Sequence, residues 1–229
     1  MDIKIEHGGN SPIAIVQLKQ NEAVVAESTT LVGMTPGIQV ETKIRSGQIK
    51  PYLQGVGEED AYFLNTYHAR ERPGEVLLAP RLLGEIWMKD LAEGDDRLLL
   101  TLEAFLGADP KVEIETAWRG GNTFQMSAGV QMLRCSGIGT LLLSGFGTIH
   151  AKQLKSDESF IVDRAHLIGF TEKVQMRVRQ LGGINSTVTQ TEDFVAELQG
   201  PGSIYLQTRS QQIFLDWIRR NIAGGQPPS

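Results

Sequence analysis

The sequence predicts an all-β protein in a single body, made of three copies of one strand unit and closed by a short helix. Three observations carry this. First, a glycine, a short polar turn and a strand of alternating residues recur: Gly33 to Thr42 returns as Gly107 to Thr116 and again from Gly169 to Val178. Second, the register between copies runs without a gap, laying residues 24–47 on residues 98–121, and Gly120-Gly121 falls on Gly182-Gly183. Ungapped self-similarity of this length is the mark of an internal repeat. Third, the apolar residues within each copy recur at every second position, the period of a half-buried strand.

In chain order, Ile13-Ala14-Ile15-Val16-Gln17-Leu18 reads as a leading strand after a turn at Gly8-Gly9-Asn10. The repeats follow at about 23–91, 97–154 and 159–209. In them Ile38/Val40, Val112/Ile114 and Val174/Met176/Val178 share one face, and Gln39/Glu41, Glu113/Glu115 and Gln175/Arg177 the other. A slip of one residue would invert every side chain, so agreement among the copies sets the register. Gly137-Ile138-Gly139 and Gly200-Pro201-Gly202 lie between alternating runs and read as tight hairpins, with Pro73-Gly74 at that place in the first copy. Residues 84–91 and 147–154 form a further strand. After the third copy, Ser210 caps a predicted helix over residues 211–222. Phe214, Trp217 and Ile218 share one of its faces, and Arg219 and Arg220 sit at the end that favours cations. The tail, 223–229, reads as disordered. One such unit could not bury its apolar face alone, so the three are expected to pack as one body about a pseudo-threefold axis.

Composition bounds the function. Of 229 residues, 41% are hydrophobic and 21% charged, as in ordinary globular proteins. A net charge of -5 argues against a nucleic-acid partner. The densest basic runs, Arg70-Glu71-Arg72, Arg177/Arg179 and Arg219-Arg220, read as solvated charge. The single cysteine excludes an internal disulfide. The first residues lack the basic and apolar regions of a signal peptide, and no apolar run approaches the roughly 18 residues of a membrane span. The expectation is a cytoplasmic protein with no transmembrane segment.

No catalytic, cofactor-binding or metal-ligating set emerges. The four histidines, His7, His68, His150 and His166, show no His-x-His spacing, and there is no Cys-x-x-Cys. By repeat register His150 takes the ring position of Trp87, and His166 a turn position shared with Ala104 and Thr30. Cys135 aligns with Leu198 on the apolar face and reads as a buried, inert thiol. The carboxylates of Glu58-Glu59-Asp60 and Asp95-Asp96 lie in loop-like composition. The Gly-x-Gly elements lack the remainder of a dinucleotide or phosphate-loop fingerprint. What stands out is a segment of about ten residues after each Gly-Gly-like turn. These segments carry Tyr52 and Leu53, Phe124 and Met126, and Ile184 and Val188, with few charges. Gathered at one end by repetition, they form candidate oligomer or partner contacts; the alternative is that they fold back and cap the barrel.

Residues 160–170 (Phe160-Ile161-Val162-Asp163-Arg164-Ala165-His166-Leu167-Ile168-Gly169-Phe170) resemble the Val-Asp-x-Gly-His-Leu-Val-Ala-Phe stretch of a known family. Gly182-Gly183-Ile184-Asn185-Ser186 and residues 200–209, from Gly200-Pro201-Gly202 to Arg209, resemble its other signatures. This is the family named for altered inheritance of mitochondria, the AIM-twenty-four family, a domain of unknown function. Ala165 stands where the family usually has glycine, and residues 48–60 are less glycine-rich than its corresponding loop. The resemblance implies a TRAP-like fold, β-sandwich units of double-stranded β-helix type, named for the trp RNA-binding attenuation protein. It implies no established activity, no catalytic residues and no cofactor; mitochondrial relatives are linked to inner-membrane organisation. Fold does not carry function. The leading expectation is a non-enzymatic homo-oligomeric binding or scaffold protein with an unknown protein partner. The alternatives are RNA or nucleotide binding by analogy with the fold, and a cupin-like barrel holding a small molecule or metal.

Overall fold

The computed structural model describes residues 1–9, 11–44, 63–94, 97–119, 130–180 and 194–222. Nineteen strands and one helix are assigned among them. Two strands lead, β1 (Asp2–Glu6) and β2 (Ile13–Leu18). Then come β3 (Ala23–Glu27), β4 (Leu31–Met34), β5 (Gln39–Ile44), β6 (Phe63–His68), β7 (Gly74–Leu78) and β8 (Gly84–Leu91). The middle of the chain gives β9 (Leu98–Thr101), β10 (Phe105–Ala108), β11 (Val112–Arg119), β12 (Val130–Gly137), β13 (Gly139–Phe146) and β14 (Ile149–Leu154). The last part gives β15 (Ser159–Asp163), β16 (Leu167–Thr171), β17 (Gln175–Gln180), β18 (Phe194–Gln199), β19 (Gly202–Gln207) and helix α1 (Gln211–Ile222). The fold is all-β with one short C-terminal helix.

The strands form four sheets, in the orders β1-β2-β7-β4, β5-β6-β3-β10-β13-β8, β11-β12-β9-β16-β19-β14 and β15-β18-β17. Three apolar cores lie between them. The first packs Val16 and Leu78 of the four-stranded sheet against Val24, Tyr67 and Leu142. The middle core sets Leu64, Phe105 and Leu143 against Leu100, Ile114, Cys135 and Tyr205. The third sets Leu99, Met132, Phe170 and Ile204 against Val162, Ala196 and Leu198. The two six-stranded sheets are therefore buried on both faces, and neighbours along one strand serve different cores. Leu98 and Leu100 enter the middle core and Leu99 the third. This is why β9, β10 and β16 read as continuous apolar runs (LLLT, FLGA and LIGFT).

One pairing scheme recurs along the stack. β3, β9 and β15 hold the same place in the sheet orders, as do β4, β10 and β16. β4, β10 and β16 carry a register irregularity at the same point, leaving Val32, Leu106 and Ile168 unpaired with β7, β13 and β19. A residue so inserted turns its side chain away from the face of its paired neighbours. Leu106 thus joins the first core and Ile168 the middle one, in each case the core next door.

Two sequence expectations change. The Gly-x-Gly stretches are not hairpin turns, because β12 and β13 lie in different sheets, as do β18 and β19. They are corners at which the chain crosses a core. Gly139 and Gly202 adopt φ of 143°, a conformation open to glycine alone at little cost, which turns the chain out of one sheet and into the next. Val40 does not share the burial of Ile38; it lies on the outer strand of its sheet and stays exposed. The leading strand has a partner that the pattern did not signal, since β1 pairs antiparallel with β2. Helix α1 spans the predicted residues, and Ser210 Oγ accepts from Ile213 N–H at 3.3 Å as its cap.

Double-sided burial has a direct consequence. Leu99 and Leu100 are both fully buried, so Leu99→Ala and Leu100→Ala should each lower unfolding stability by about 2–5 kcal/mol in urea melts. A sheet with one wet face would show that loss at only one of the two positions.

Candidate functional site

The recurring scheme singles out the two ends of the stack. Within the molecule, β3 pairs with β10 and β9 pairs with β16, each joint uniting half a sheet from one segment with half from the next. β4 and β15 hold the matching places, yet each is the outer strand of its sheet, with no partner across it among the described residues. Their apolar residues show the consequence. Val32 is 58% exposed, whereas Leu106 and Ile168 at the same place are 0% and 2% exposed. Ile161 is 45% exposed, whereas Leu99 at its place is fully buried. Leu31, Met34 and Phe160 are also exposed, with Lys152 Nζ 5.1 Å from the centre of the Phe160 ring. Apolar edge strands with free backbone groups are templates for further strand pairing.

Helix α1 adds a third apolar surface. Phe214 meets Phe146 edge-to-face at 5.6 Å and stacks on Trp217 at 6.5 Å, so the aromatic face predicted for the helix docks at its first turn. Ile213, Leu215 and Trp217 remain exposed beside it.

A cleft of about 1010 Å³ opens between this helix and the sheet ends, lined among others by Arg81, Glu103, Asp163, Arg164 and Gln207. Gln207 organises its wall. Its Oε1 accepts from Phe146 N–H at 2.9 Å, its Nε2 donates to Ala165 O at 2.9 Å, and its carbonyl lies 2.8 Å from His166 Nδ1. Asp163 caps the short 3-10 turn Arg164–His166 by accepting from Ala165 N–H at 2.9 Å. Arg164 Nε is buried with no acceptor among the described residues. The cleft thus presents both signs of charge beside apolar side chains such as Leu102, Phe146 and Leu215.

His166 sits in the predicted turn, held by the Gln207 carbonyl. His150 does not repeat the role of Trp87: its ring is exposed on β14, whereas Trp87 packs on Tyr205 with ring centres 5.5 Å apart. Among the described residues, no three His, Cys, Asp or Glu side chains gather closely enough to hold a metal ion. No helix there is long and apolar enough to cross a membrane. The expected contact residues Tyr52, Leu53, Phe124, Met126, Ile184 and Val188 lie outside the described residues, as do residues 58–60, 95 and 96. The sequence reading missed Val32, Ile161 and the edges they occupy. The available signal was the repeat itself, since the first and last members of an array have only one neighbour each.

A family model described as Mitochondrial biogenesis AIM24 matches residues 3–209, which stops short of helix α1. No curated protein matches the chain. The crystal structure of protein SPYM3_0169 from Streptococcus pyogenes is similar in fold, with a TM-score of 0.76 over 96% of this chain and 99% of that one, at 21% identity.

Cys135 lies fully buried in the middle core, and burial pushes its thiol up to about 12. The thiolate is the reactive form, so the native protein should resist a thiol reagent at pH 8 and react at once in denaturant. Rapid native labelling would show that the middle core opens readily.

Proposed function

We propose that this chain, which belongs to the Mitochondrial biogenesis AIM24 family, is a non-enzymatic, oligomeric binding or scaffold protein acting in the cytoplasm. In this reading residues 23–91, 97–154 and 159–209 are copies of one TRAP-like unit joined in order as an open array, not closed about the pseudo-threefold axis expected from the sequence, and the array works through its ends. The observation that supports it is the exposure of Val32 and Ile161, whose counterparts inside the molecule are buried. Apolar strands left bare at both ends of a stack favour association with another protein surface over a solitary life in water.

Native mass spectrometry of the untagged protein, purified unheated from its own host, tests this directly. The expected result is a clean multimer without added mass. A monodisperse monomer would overturn the proposal. Excess mass on every subunit would instead assign a carried ligand, and the cleft beside Arg164 is where it would be sought.

A further inference from the structure

We infer that β4 of one molecule pairs antiparallel with β15 of a second copy of this chain, with Gly33 opposite Val162 and Met34 opposite Ile161. Copies then join head to tail. The inference rests on the assembly reading above and supplies its partner and register.

The two joints already inside the molecule are the template. Gly107 lies opposite Ala26 and Ala108 opposite Val25 at the first. Gly169 lies opposite Leu100 and Phe170 opposite Leu99 at the second. Carried to the ends by sheet order, the same register sets Gly33 against Val162. The sheets that result also agree. Joining the halves β17-β18-β15 and β4-β7-β2 reproduces the strand order of both six-stranded sheets, with β1 as an added outer strand. Val32 would then enter the third core of the neighbouring copy, as Leu106 and Ile168 enter the core next to theirs, and Ile161 would enter the neighbour's first core.

Gly33 is the independent observation. A Cβ at Gly107 would stand 3.0 Å from Val25 O, and one at Gly169 would stand 2.5 Å from Leu99 O. Both glycines make room for the backbone of the strand across the joint. At Gly33 an added Cβ meets only Leu77 Cδ1 at 4.0 Å. Among the described residues of one molecule nothing there excludes a side chain, yet the residue that a joint requires is present. The occupant is a second copy because the two bare edges are the two halves of that joint. They cannot be the halves of a joint within one chain as it stands, since two full sheets lie between them. A like-with-like contact is not what either inner joint shows. Head-to-tail contacts of this kind close into a ring or run on as a filament.

Two experiments test this. In the first, Met34→Cys and Ile161→Cys proteins are made singly and co-expressed, then mildly oxidised; Cys135 is buried and takes no part. A disulfide-linked pair is expected only from co-expression. A link within Met34→Cys alone, or a link inside the monomer of the double variant, overturns the inference. In the second, Gly33→Val should leave the unfolding transition in place while weakening association by about tenfold or more, because the new side chain meets the facing strand. If wild type is a monomer, the assembly reading and the joint both fall. If wild type is a multimer that Gly33→Val leaves untouched, the joint falls and the assembly reading stands.

Discussion

The structure depends on sheets that are buried on both faces. A strand such as β9 sends Leu98 and Leu100 into one core and Leu99 into another, so the two cores share a wall and neither can be repacked alone. Close-packed interiors transmit such coupling because they contain few voids to absorb a change of volume. The recurring bulge extends the same logic across segment boundaries. By turning Leu106 and Ile168 out of their own faces, it makes each segment complete the core of its neighbour. A structure stitched this way has no natural stopping place, and its ends carry the cost of being ends.

Those ends explain the residues that stand out. Val32 and Ile161 hold, by sheet order, the places that buried core residues hold elsewhere in the chain, and among the described residues no core covers them. Scattered exposed apolar residues need no explanation. Here Leu31, Val32, Met34, Phe160 and Ile161 fall on β4 and β15, and the counterparts of Val32 and Ile161 by sheet order are buried, which sets these two apart from the exposed apolar residues elsewhere.

Much of this was legible in the sequence, and the failures have physical causes. Alternation located β11 and β17 correctly because Val112 and Ile114 of β11 are buried on one face, and Met176 and Val178 of β17 are half-buried between exposed Gln175, Arg177 and Arg179. The helix was found to its boundaries because Ser210 is a strong cap and the apolar spacing beyond it changes period. The corners at Gly137 to Gly139 and Gly200 to Gly202 were misread, since positive φ at glycine serves a hairpin and a crossing between sheets equally well. Local conformation cannot tell those two apart; only the partner strands can. The continuous apolar runs of β9 and β10 are the mark of double-sided burial that a reading built on alternation passed over, and a run alone does not say whether the second face is covered by the same chain or another. For β4 and β15 that ambiguity was the whole question.

The helix at the end of the chain follows from the same topology. After β7, the chain makes β8, which pairs forward with β13; after β13 it makes β14, which pairs forward with β19. A strand after β19 would in turn need the counterpart of β13 and β19 in a following segment, and by sheet order that counterpart is β7, which the inferred joint would bring from a second copy. But β7 is already paired on that side by β2, whose place in the sheet is that of β8 and β14. A strand made there would find no sheet to join and would hold unpaired backbone groups. A helix satisfies its backbone internally and needs only one face covered. Residues 211–222 accordingly form one, with Phe214 set against Phe146 and the rest of its apolar surface turned outward. The leading strand and the helix are thus linked: β2 fills the place beside β7 that β8 and β14 fill beside β13 and β19, and the helix after β19 needs no such place. β4 and β15 are left as the pairing the fold does not complete by itself.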